Sequence, residues 1–389
     1  MPRYALVLDV GTTGIKAFVF DEEERVVCKV YKAIEKSFPK KGWVEQDPQM
    51  LLSVSRTVLR RAVKESGVPL SQIVGLGITN QRETIVAWDT KTGRAAYPAV
   101  VWEDERTATE CRRLQKKQGT SVREKTGLAL LPYFSASKMA WLLRNVPRVR
   151  ALRQRNRLAF GTVDSWLLWH LLEGNPHVTE YTNASRTLLF NIRTLRWDSA
   201  LLALFGIEET LLPRVLPSAG LFGKTARSLF GAVLPVVAVC GDQQASLYAA
   251  GTRVGMTKAT FGTGSFLLQS IGRRFVLRDG FFTTLMANSV QPTYALEARI
   301  PFYGREVEAV LASPKALLRV LRRLAVQTAR MLPRLPQQPK LLVVDGGVIR
   351  DPRVVPLIAD AGGCRVMAQA TIDGTALGVA KLVLQWAGE

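Results

Sequence analysis

The stretch LVLDVGTTG at residues 6–14 runs into a second apolar segment, KAFVF at residues 16–20. In the second half of the chain, KATFGTGSF at residues 258–266 repeats this pattern. Each is an apolar strand, a tip rich in glycine and threonine, and a second apolar strand. The backbone N–H groups and hydroxyls of such a β-hairpin tip point outward together. Two of them, each opening one half of the chain, suggest two related domains that hold one polyphosphate, although two ordinary hairpins would show the same pattern.

The composition is compatible with two domains. With 389 residues, of which 47% are hydrophobic, the chain can bury two sizeable cores. It has no run of about 18 apolar residues, so we expect no membrane span, and the first strand begins too early for a preceding signal peptide. The four cysteines are scattered, without a CxxC pair or a Cys/His cluster, which argues against a disulfide scaffold and a zinc site. A reducing cytoplasm is the expected location.

The formal net charge is +21. Nucleic-acid-binding proteins often carry such a charge, but here the basic clusters, such as residues 144–157 and 319–323, lie in helix-like stretches between apolar residues. A solvated arginine-rich helix face is the simpler interpretation, so we expect no nucleic-acid partner. The excess positive charge would still attract anionic substrates.

The order of strand-like and helix-like segments predicts two α/β units. In the first, strands are expected within 4–32 and at 73–78, 84–88 and 233–239, and helices at 47–66, 107–118, 135–144 and 161–173. The second starts near Gly255, with a hairpin at 257–270, strands at 294–300 and 341–344, and a basic helix at 314–332. This alternation implies mixed or parallel sheets with helices on both faces.

Two aspartates follow apolar strands. Asp9 lies directly before the first glycine turn, and Asp242 follows the strand at 233–239. Ligands of α/β sheets bind beyond the carboxyl ends of strands, where both aspartates are expected. Asp9 suits a magnesium site reached through water, and Asp242 suits a general base that takes the proton of an alcohol as the bond to phosphorus forms. Either aspartate could equally be a helix N-cap or a turn former.

The segment TNQRET at residues 79–84 lies between two predicted strands. Arg82 and Glu83 could simply be exposed at an edge, or could face a polyol, with the arginine donating to its hydroxyls and the glutamate accepting from them. A polyol also needs an apolar wall for its C–H faces. Trp102, Tyr133 and Phe266 are candidates, although an aromatic side chain is more often plain core.

The chain also resembles the carbohydrate kinases of the glycerol kinase type. The segments that carry the resemblance occur in order along nearly the whole chain and are DVGTT (9–13), WVEQDP (43–48), ITNQRET (78–84), PYFSASK (132–138), GTVDSWLL (161–168), TNASRT (182–187), GDQQ (241–244), GTG (262–264), DGG (345–347) and TALG (375–378). Together and in this order they are highly specific.

This resemblance implies an α/β, two-domain actin-like (ribonuclease-H-type) ATPase fold with the active site in the interdomain cleft. It implies a polyol-binding kinase domain over 1–250 and a nucleotide-binding kinase domain over 251–389. The implied reaction uses ATP and Mg²⁺ to phosphorylate glycerol to sn-glycerol 3-phosphate. The alternatives are a kinase for another small polyol or sugar, and a non-catalytic relic with an impaired nucleotide site.

The resemblance also implies a set of site residues. For glycerol they are Arg82, Glu83, Trp102, Tyr133, Asp242, Gln243 and Phe266, with Asp242 as the catalytic base. For the nucleotide they are Thr12, Thr13, Gly14, Lys16, Gly262, Thr263, Gly304, Gly347 and Asp351. The implied metal ligands are Asp9 and Asp242.

The chain departs from the family pattern at several positions. Lys16 stands where an arginine is usual, which keeps the charge but loses the planar fork. Glu308 and Asp351 stand where amides are expected, and a carboxylate would repel a nearby phosphate. A long family segment is missing between about 311 and 315. We expect the second domain to keep its strands, to lose one wall of its nucleotide side, and to expose apolar surface that a partner subunit could cover in a homo-oligomer.

Overall fold

The computed structural model describes residues 2–262, 264–287, 291–302, 304–369 and 373–388. Their contacts define two compact units. The first contains Met1–Asp242 and Val379–Glu389, and the second contains Gln243–Met286 and Gln291–Gly378. These units are defined by contacts alone, so the division at residue 250 into a polyol-binding and a nucleotide-binding domain stays a prediction. No helix in the described ranges is both long and apolar enough to cross a membrane.

The described part of the first unit contains fourteen strands and most of the helices. The strands are β1 (Tyr4–Val10), β2 (Gly14–Phe20), β3 (Val26–Ala33), β4 (Glu45–Gln46), β5 (Ile73–Asn80), β6 (Ile85–Asp89), β7 (Ala99–Val100), β8 (Leu158–Thr162), β9 (Val178–Glu180), β10 (Phe190–Asn191), β11 (Arg196–Trp197), β12 (Arg214–Leu216), β13 (Ala219–Lys224) and β14 (Pro235–Gly241). The helices are α1 (Pro48–Ser66), α2 (Ala108–Thr126), α3 (Ser135–Asn145), α4 (Pro147–Gln154), α5 (Val163–Leu171), α6 (Tyr181–Ala184), α7 (Ser199–Phe205) and α8 (Arg227–Phe230).

The main sheet of this unit has the order β13-β14-β5-β1-β2-β3. As the glycine turn predicts, β1 and β2 form an antiparallel hairpin. Strands β1, β5 and β14 are parallel, with Asp9 and Cys240 both level with Thr79. These strands are almost wholly apolar because both faces of the sheet are covered. Their carboxyl ends therefore lie at one edge, where Asp9 and Asp242 were expected.

Helix α1 begins as its sequence predicts. Pro48 is the first helical residue, and the Asp47 carboxylate accepts a hydrogen bond from the Gln49 N–H at 2.8 Å. The helix packs its leucines and valines into the core below β1 and β2. The capped start thus sets where the chain returns to the sheet after the hairpin.

A second sheet of this unit has the order β4-β7-β6-β8. The helix predicted at 161–173 was wrong at its start, because residues up to Thr162 form β8 and helix α5 begins at Val163. Gly161 lies opposite Val86 in the sheet, and a side chain there would come within 2.9 Å of the Trp88 ring. The glycine therefore allows close packing in a strand rather than starting a helix.

In the second unit, the described residues form six strands and three helices. Two further helices, α9 (Asp242–Ala250) and α13 (Gly374–Trp386), each have residues in both units. The strands are β15 (Thr257–Phe261), β16 (Ser265–Gly272), β17 (Phe282–Leu285), β18 (Tyr294–Ile300), β19 (Leu341–Asp345) and β20 (Arg365–Ala368). The helices are α10 (Arg305–Glu308), α11 (Pro314–Met331) and α12 (Val354–Gly362).

The sheet of the second unit has the order β17-β18-β16-β15-β19-β20. Strands β15 and β16 form the second glycine hairpin, and β15, β19 and β20 are parallel. After β18 the chain makes the short turn α10 before Ser313 caps α11. The strands predicted for this unit within 257–270 and at 294–300 and 341–344 are present, and the missing segment stays a prediction. Leu311, in the connection before α11, is 61% exposed.

Candidate active site

The first glycine turn is held by contacts that join it to a predicted wall residue. The Gly11 N–H donates to the Gly14 carbonyl at 3.0 Å and closes the turn. Inside it, the Thr12 hydroxyl accepts from the Trp102 indole N–H at 2.9 Å, and the Thr12 carbonyl accepts from the Gln46 side chain at 2.8 Å. Thr13 is exposed. The turn therefore has a fixed inner side and an accessible outer side.

Asp9 and Lys16 are directly opposed on β1 and β2. The Lys16 ammonium lies 3.4 Å from the Asp9 carboxylate, with the aspartate mostly buried and the lysine about one third exposed. A lysine cannot offer the flat double hydrogen bond of the family's arginine. It still places a cation beside the turn, where a polyphosphate would benefit from it.

The predicted base is paired with a predicted substrate residue. Arg82 follows β5 and Asp242 follows β14, the neighbouring parallel strand. The Arg82 Nε lies 3.0 Å from the Asp242 carboxylate, and only 2% of the arginine side chain is exposed against 31% of the aspartate. The arginine therefore places a positive charge beside the carboxylate, while the aspartate remains accessible to a ligand.

Glu83 is held in a left-handed backbone conformation, with φ at +62°. Such a conformation is uncommon for a residue other than glycine and persists where surrounding contacts enforce it. Here the Arg186 Nε binds the Glu83 carboxylate at 2.6 Å, and the Ser135 hydroxyl donates to its backbone carbonyl at 3.0 Å. Sequence reasoning did not single out Arg186, and the only signal for it was its place in the segment TNASRT.

The aromatic candidates divide into two groups. Trp102 and Tyr133 meet edge to face, with ring centroids 5.5 Å apart, and each is 8% exposed. Phe266 lies in a separate small apolar cluster on β16, with Leu268 and Met286. The structure thus brings together two of the three predicted wall residues within one unit, and the contact of all three with a polyol stays a prediction.

A buried lysine, Lys138, is hydrogen-bonded to the backbone of Tyr133. Lys138, one turn into α3, donates from Nζ to the Tyr133 carbonyl at 3.0 Å. Its burial lowers its pKa to about 8, against the opposing attraction of the Asp104 and Glu83 carboxylates. Sequence reasoning quoted this residue within the segment PYFSASK but gave it no role.

Beneath the strand ends lies a buried polar network that the sequence did not reveal. The Glu180 carboxylate accepts from the backbone N–H groups of Thr182 and Asn183, both at 2.7 Å, and from the Ser218 hydroxyl at 2.8 Å. The Thr182 hydroxyl in turn accepts from the Gly241 N–H, directly before the predicted base. Burial raises the pKa of Glu180 to about 7, and the negative charge of Asp164 adds to that shift.

On the nucleotide side, the second unit brings its predicted glycines together. The Gly304 N–H donates to the Gly262 carbonyl at 2.9 Å. Gly346 has φ at +98° and lies against the Phe261 backbone, so no larger residue would fit there. A side chain at Gly347 would point into open space. Thr263, the other predicted nucleotide contact in this turn, lies outside the described residues.

The two unexpected carboxylates on this side differ in their surroundings. Asp351 accepts two side-chain hydrogen bonds from Arg353, at 2.9 and 2.6 Å, and these lower its pKa. Glu308 is exposed at the end of α10. Arg353 therefore offsets the charge of Asp351. This reduces the repulsion between Asp351 and a nearby phosphate, which was expected from the sequence.

The predicted metal ligands do not form a closed site of protein groups. Within the ranges given above, no three or more His, Cys, Asp or Glu side chains cluster in a way that could hold a metal ion. Asp9 is the next-to-last residue of β1 and Asp242 follows β14, with β5 between these strands. Magnesium usually takes one or two carboxylates and fills its remaining positions with water and substrate phosphates. A single strand-end carboxylate such as Asp9 fits that pattern.

Comparison with known proteins reveals clear relatives. Residues 4–249 match the N-terminal domain of the FGGY family of carbohydrate kinases. Glycerol kinase 2 of Thermotoga maritima is 43% identical over 310 residues, which are 79% of this chain and 62% of that protein. A glycerol kinase of Burkholderia cenocepacia is 44% identical over 313 residues, again 79% of this chain and 62% of the relative. The chain thus spans about three fifths of the length of these curated relatives.

Solved structures show the same architecture. A crystal structure of Plasmodium falciparum glycerol kinase with ADP has a TM-score of 0.89 and 26% identity, covering 98% of this chain and 88% of that one. A gluconate kinase from Lactobacillus acidophilus has a TM-score of 0.87 at 15% identity, covering all of this chain and 90% of that one. The likeness confirms the two-domain actin-like fold that the sequence motifs implied.

Proposed function

The chain belongs to the FGGY family of carbohydrate kinases, and from that premise we propose that it is a glycerol kinase. It transfers the γ-phosphoryl group of ATP to a terminal hydroxyl of glycerol and releases ADP and sn-glycerol 3-phosphate. The observation that carries this proposal is the pairing of Arg82 with Asp242 at the ends of two neighbouring parallel strands. The identity to glycerol kinases over four fifths of the chain supports glycerol as the acceptor.

Asp242 acts as the general base. An alkyl hydroxyl is too weak an acid to lose its proton first, so the proton passes to Asp242 late, as the bond from the glycerol oxygen to the γ-phosphorus forms. The bond from that phosphorus to the β,γ-bridging oxygen breaks in the same step, and ADP leaves with its electron pair. Arg82, 3.0 Å from the carboxylate, holds it in place for this proton transfer.

The other polyol residues orient the acceptor. Arg82 can only donate hydrogen bonds and Glu83 can only accept them, so together they suit adjacent hydroxyls. Arg186 holds the Glu83 carboxylate at 2.6 Å, which fixes the direction of its second oxygen. Trp102 and Tyr133 offer the apolar face that a carbon chain needs, and Gln243 and Phe266 complete the proposed set.

The nucleotide is bound mainly by backbone groups. The turn with Thr12, Thr13 and Gly14 offers N–H groups and hydroxyls to the phosphates, with the Lys16 ammonium beside them. In the second unit, the proposed contacts are Gly262, Thr263, Gly304 and Gly347, with Asp351 nearby. Magnesium, when bound, neutralises charge that develops on the phosphates, and Asp9 is the residue that would hold it.

One observation favours a second candidate function. The connection from β18 to α11 is short, with α10 as its described helical turn, and the chain spans 62% of the length of its curated relatives. A chain shortened in this way could bind polyol without turning over, as a binding or regulatory protein. This candidate keeps the polyol residues and gives up the nucleotide site.

A coupled assay of ADP release tests both candidates. The purified chain is supplied with Mg·ATP, with and without glycerol, and with a panel of other small polyols and sugars. Release that depends on glycerol supports the glycerol kinase, and release that depends on another panel member replaces glycerol as substrate. If no member supports turnover but glycerol raises the melting temperature, the binding protein is the better interpretation. If glycerol changes neither, both proposals fail.

A further inference from the structure

A chain of buried polar groups in the second unit leads from an ion pair to Gln243. The Lys258 ammonium lies 2.7 Å from the Asp345 carboxylate, and both side chains are almost fully buried. Lys258 and Thr260 are two residues apart on β15 and share a face of the sheet. The ammonium also donates to the Thr260 hydroxyl, which donates to the Gln243 carboxamide oxygen at 3.0 Å.

The charges in this chain set the direction of each hydrogen bond. An ammonium group only donates, so the Thr260 oxygen must accept from Lys258. The proton of that hydroxyl is then available for the Gln243 oxygen, as the structure shows. With its oxygen engaged by Thr260, the carboxamide has its amino group as the end that can donate to a ligand. Through Thr260, the lysine thus determines that the oxygen of the Gln243 carboxamide, rather than its amino group, meets β15.

The same ion pair also anchors the helix that carries Gln243. The second oxygen of the Asp345 carboxylate accepts from the Ser246 hydroxyl, three residues after Gln243 on α9. Two points on the first turns of α9 are therefore tied to one buried carboxylate and one buried ammonium. A buried ion pair contributes little net stability compared with apolar residues of similar size. Here the ion pair orients the first turns of α9, which carry Gln243 and Ser246.

We infer that Lys258 and Thr260 are positioning residues that hold Gln243 so that its amide N–H donates to a hydroxyl oxygen of the polyol. The inference rests on the proposed function for the identity of the ligand. It adds a role for two residues of β15 that lie outside the proposed set of binding residues.

Thr260→Val tests the inference, because it removes the hydroxyl without leaving the buried Asp345 charge unpaired. The matched control is Thr257→Val on the same strand, where a buried hydroxyl is bonded to Gly255 and Gln269. We expect Thr260→Val to raise the KM for glycerol by about tenfold, the value of one well-placed hydrogen bond, with the KM for ATP within about twofold of wild type. Thr257→Val should leave both constants near wild type, and Thr260→Ser should restore the KM for glycerol.

An equal effect of Thr260→Val and Thr257→Val on the KM for glycerol would overturn the inference. So would a Thr260→Val effect that falls on ATP alone. If the wild-type protein shows no turnover, the proposed function fails and no KM can be measured. The same variants are therefore also compared without ligand, where the inference can be tested by itself. There the side-chain amide resonance of Gln243, assigned by its absence from Gln243→Glu, should shift in Thr260→Val and stay in place in Thr257→Val. An unchanged resonance in Thr260→Val would contradict the positioning role whatever the substrate is.

Discussion

The two units of this protein share five strands of a sheet order, and they differ in the sixth, which is β13 beyond the parallel strands of the first sheet and β17 beyond the hairpin side of the second. In each, the second strand of a glycine hairpin pairs with an antiparallel strand, β3 or β18, and two strands parallel to its first strand follow on the other side. Asp9 lies opposite Thr79 in the first sheet, whereas Thr260 lies opposite Asp345 in the second. The carboxylate thus lies on the first hairpin strand in the first unit and on the neighbouring parallel strand in the second, with a threonine opposite it in both. In the first unit it meets a partly exposed lysine, and in the second a fully buried one.

The units also differ in what connects their strands. Between β5 and β14 the first unit holds a second sheet and several helices, which carry Glu83, Trp102, Tyr133 and Arg186. Between β19 and β20 the second unit holds little more than α12. Most of the side chains proposed for the polyol therefore belong to the first unit, and the nucleotide contacts proposed on the second are mostly glycines. A common scaffold can serve both purposes because its strand ends are fixed by a core that does not depend on them.

The largest expected effect concerns the side-chain chemistry of the first unit. Asp242→Asn removes the base but keeps the shape of the side chain. We expect kcat to fall by about 10²–10⁴, the range for general-base catalysis, with glycerol affinity by calorimetry within a few-fold of wild type. Asp198→Asn, at another helix start and paired with Lys125, is the matched control. Near-full activity of the Asp242→Asn protein would refute the base assignment.

The next effect concerns the buried support of that chemistry. Arg186→Met leaves the Glu83 carboxylate buried without its cation, which should cost about 3–5 kcal/mol of unfolding free energy. Arg153→Met is the control, because its partner Glu208 is exposed and such pairs contribute at most about 1 kcal/mol. Urea unfolding of both variants measures the difference. Equal losses would show that the Glu83 pair is no more than a surface contact.

The free energy of unfolding should depend on pH through Glu180, in the buried polar network of the first unit. Glu180 has a pKa of about 7 when folded, against an ordinary value of 4.5. The folded protein thus holds a proton that the unfolded chain releases, so this group's contribution to stability is lost as the pH rises from about 4.5 through about 7. The slope is at most about 1.4 kcal/mol per pH unit. Urea unfolding at several pH values should show this slope in wild type and a smaller one in Glu180→Gln. Identical slopes would mean that Glu180 titrates normally.

The smallest effect tests the backbone role of the second unit. Gly347→Ala adds a methyl group where the structure has open space, so the melting temperature should stay near wild type. If a phosphate or sugar approaches that backbone, the KM for ATP should rise by several-fold, on the order of 1 kcal/mol, while the KM for glycerol stays the same. A rise in the glycerol KM alone would reverse the assignment of the two sides.

Much of the scaffold could be predicted from local patterns. Both hairpins, the capped start of α1 and the buried parallel strands follow from apolar runs punctuated by glycine, because such runs limit the backbone to few conformations. The positions of Asp9 at the end of β1 and of Asp242 directly after β14 follow as well. The start of the helix predicted at 161–173 did not, because the pairing of β8 with β6 takes residues 161 and 162 into the sheet.

The partners of the functional side chains were decided only by the tertiary structure. Arg186 and Glu83 are 103 residues apart in sequence, and nothing in the short strand around Lys258 indicates that its charge will be buried. No local period encodes which distant group will satisfy a buried charge, since that depends on how the sheets and helices pack. The sequence by itself determined the two hairpin units and the kinds of group at their strand ends. Folding decided which of those groups are paired, because a charge withdrawn from water must find its partner wherever the fold places one.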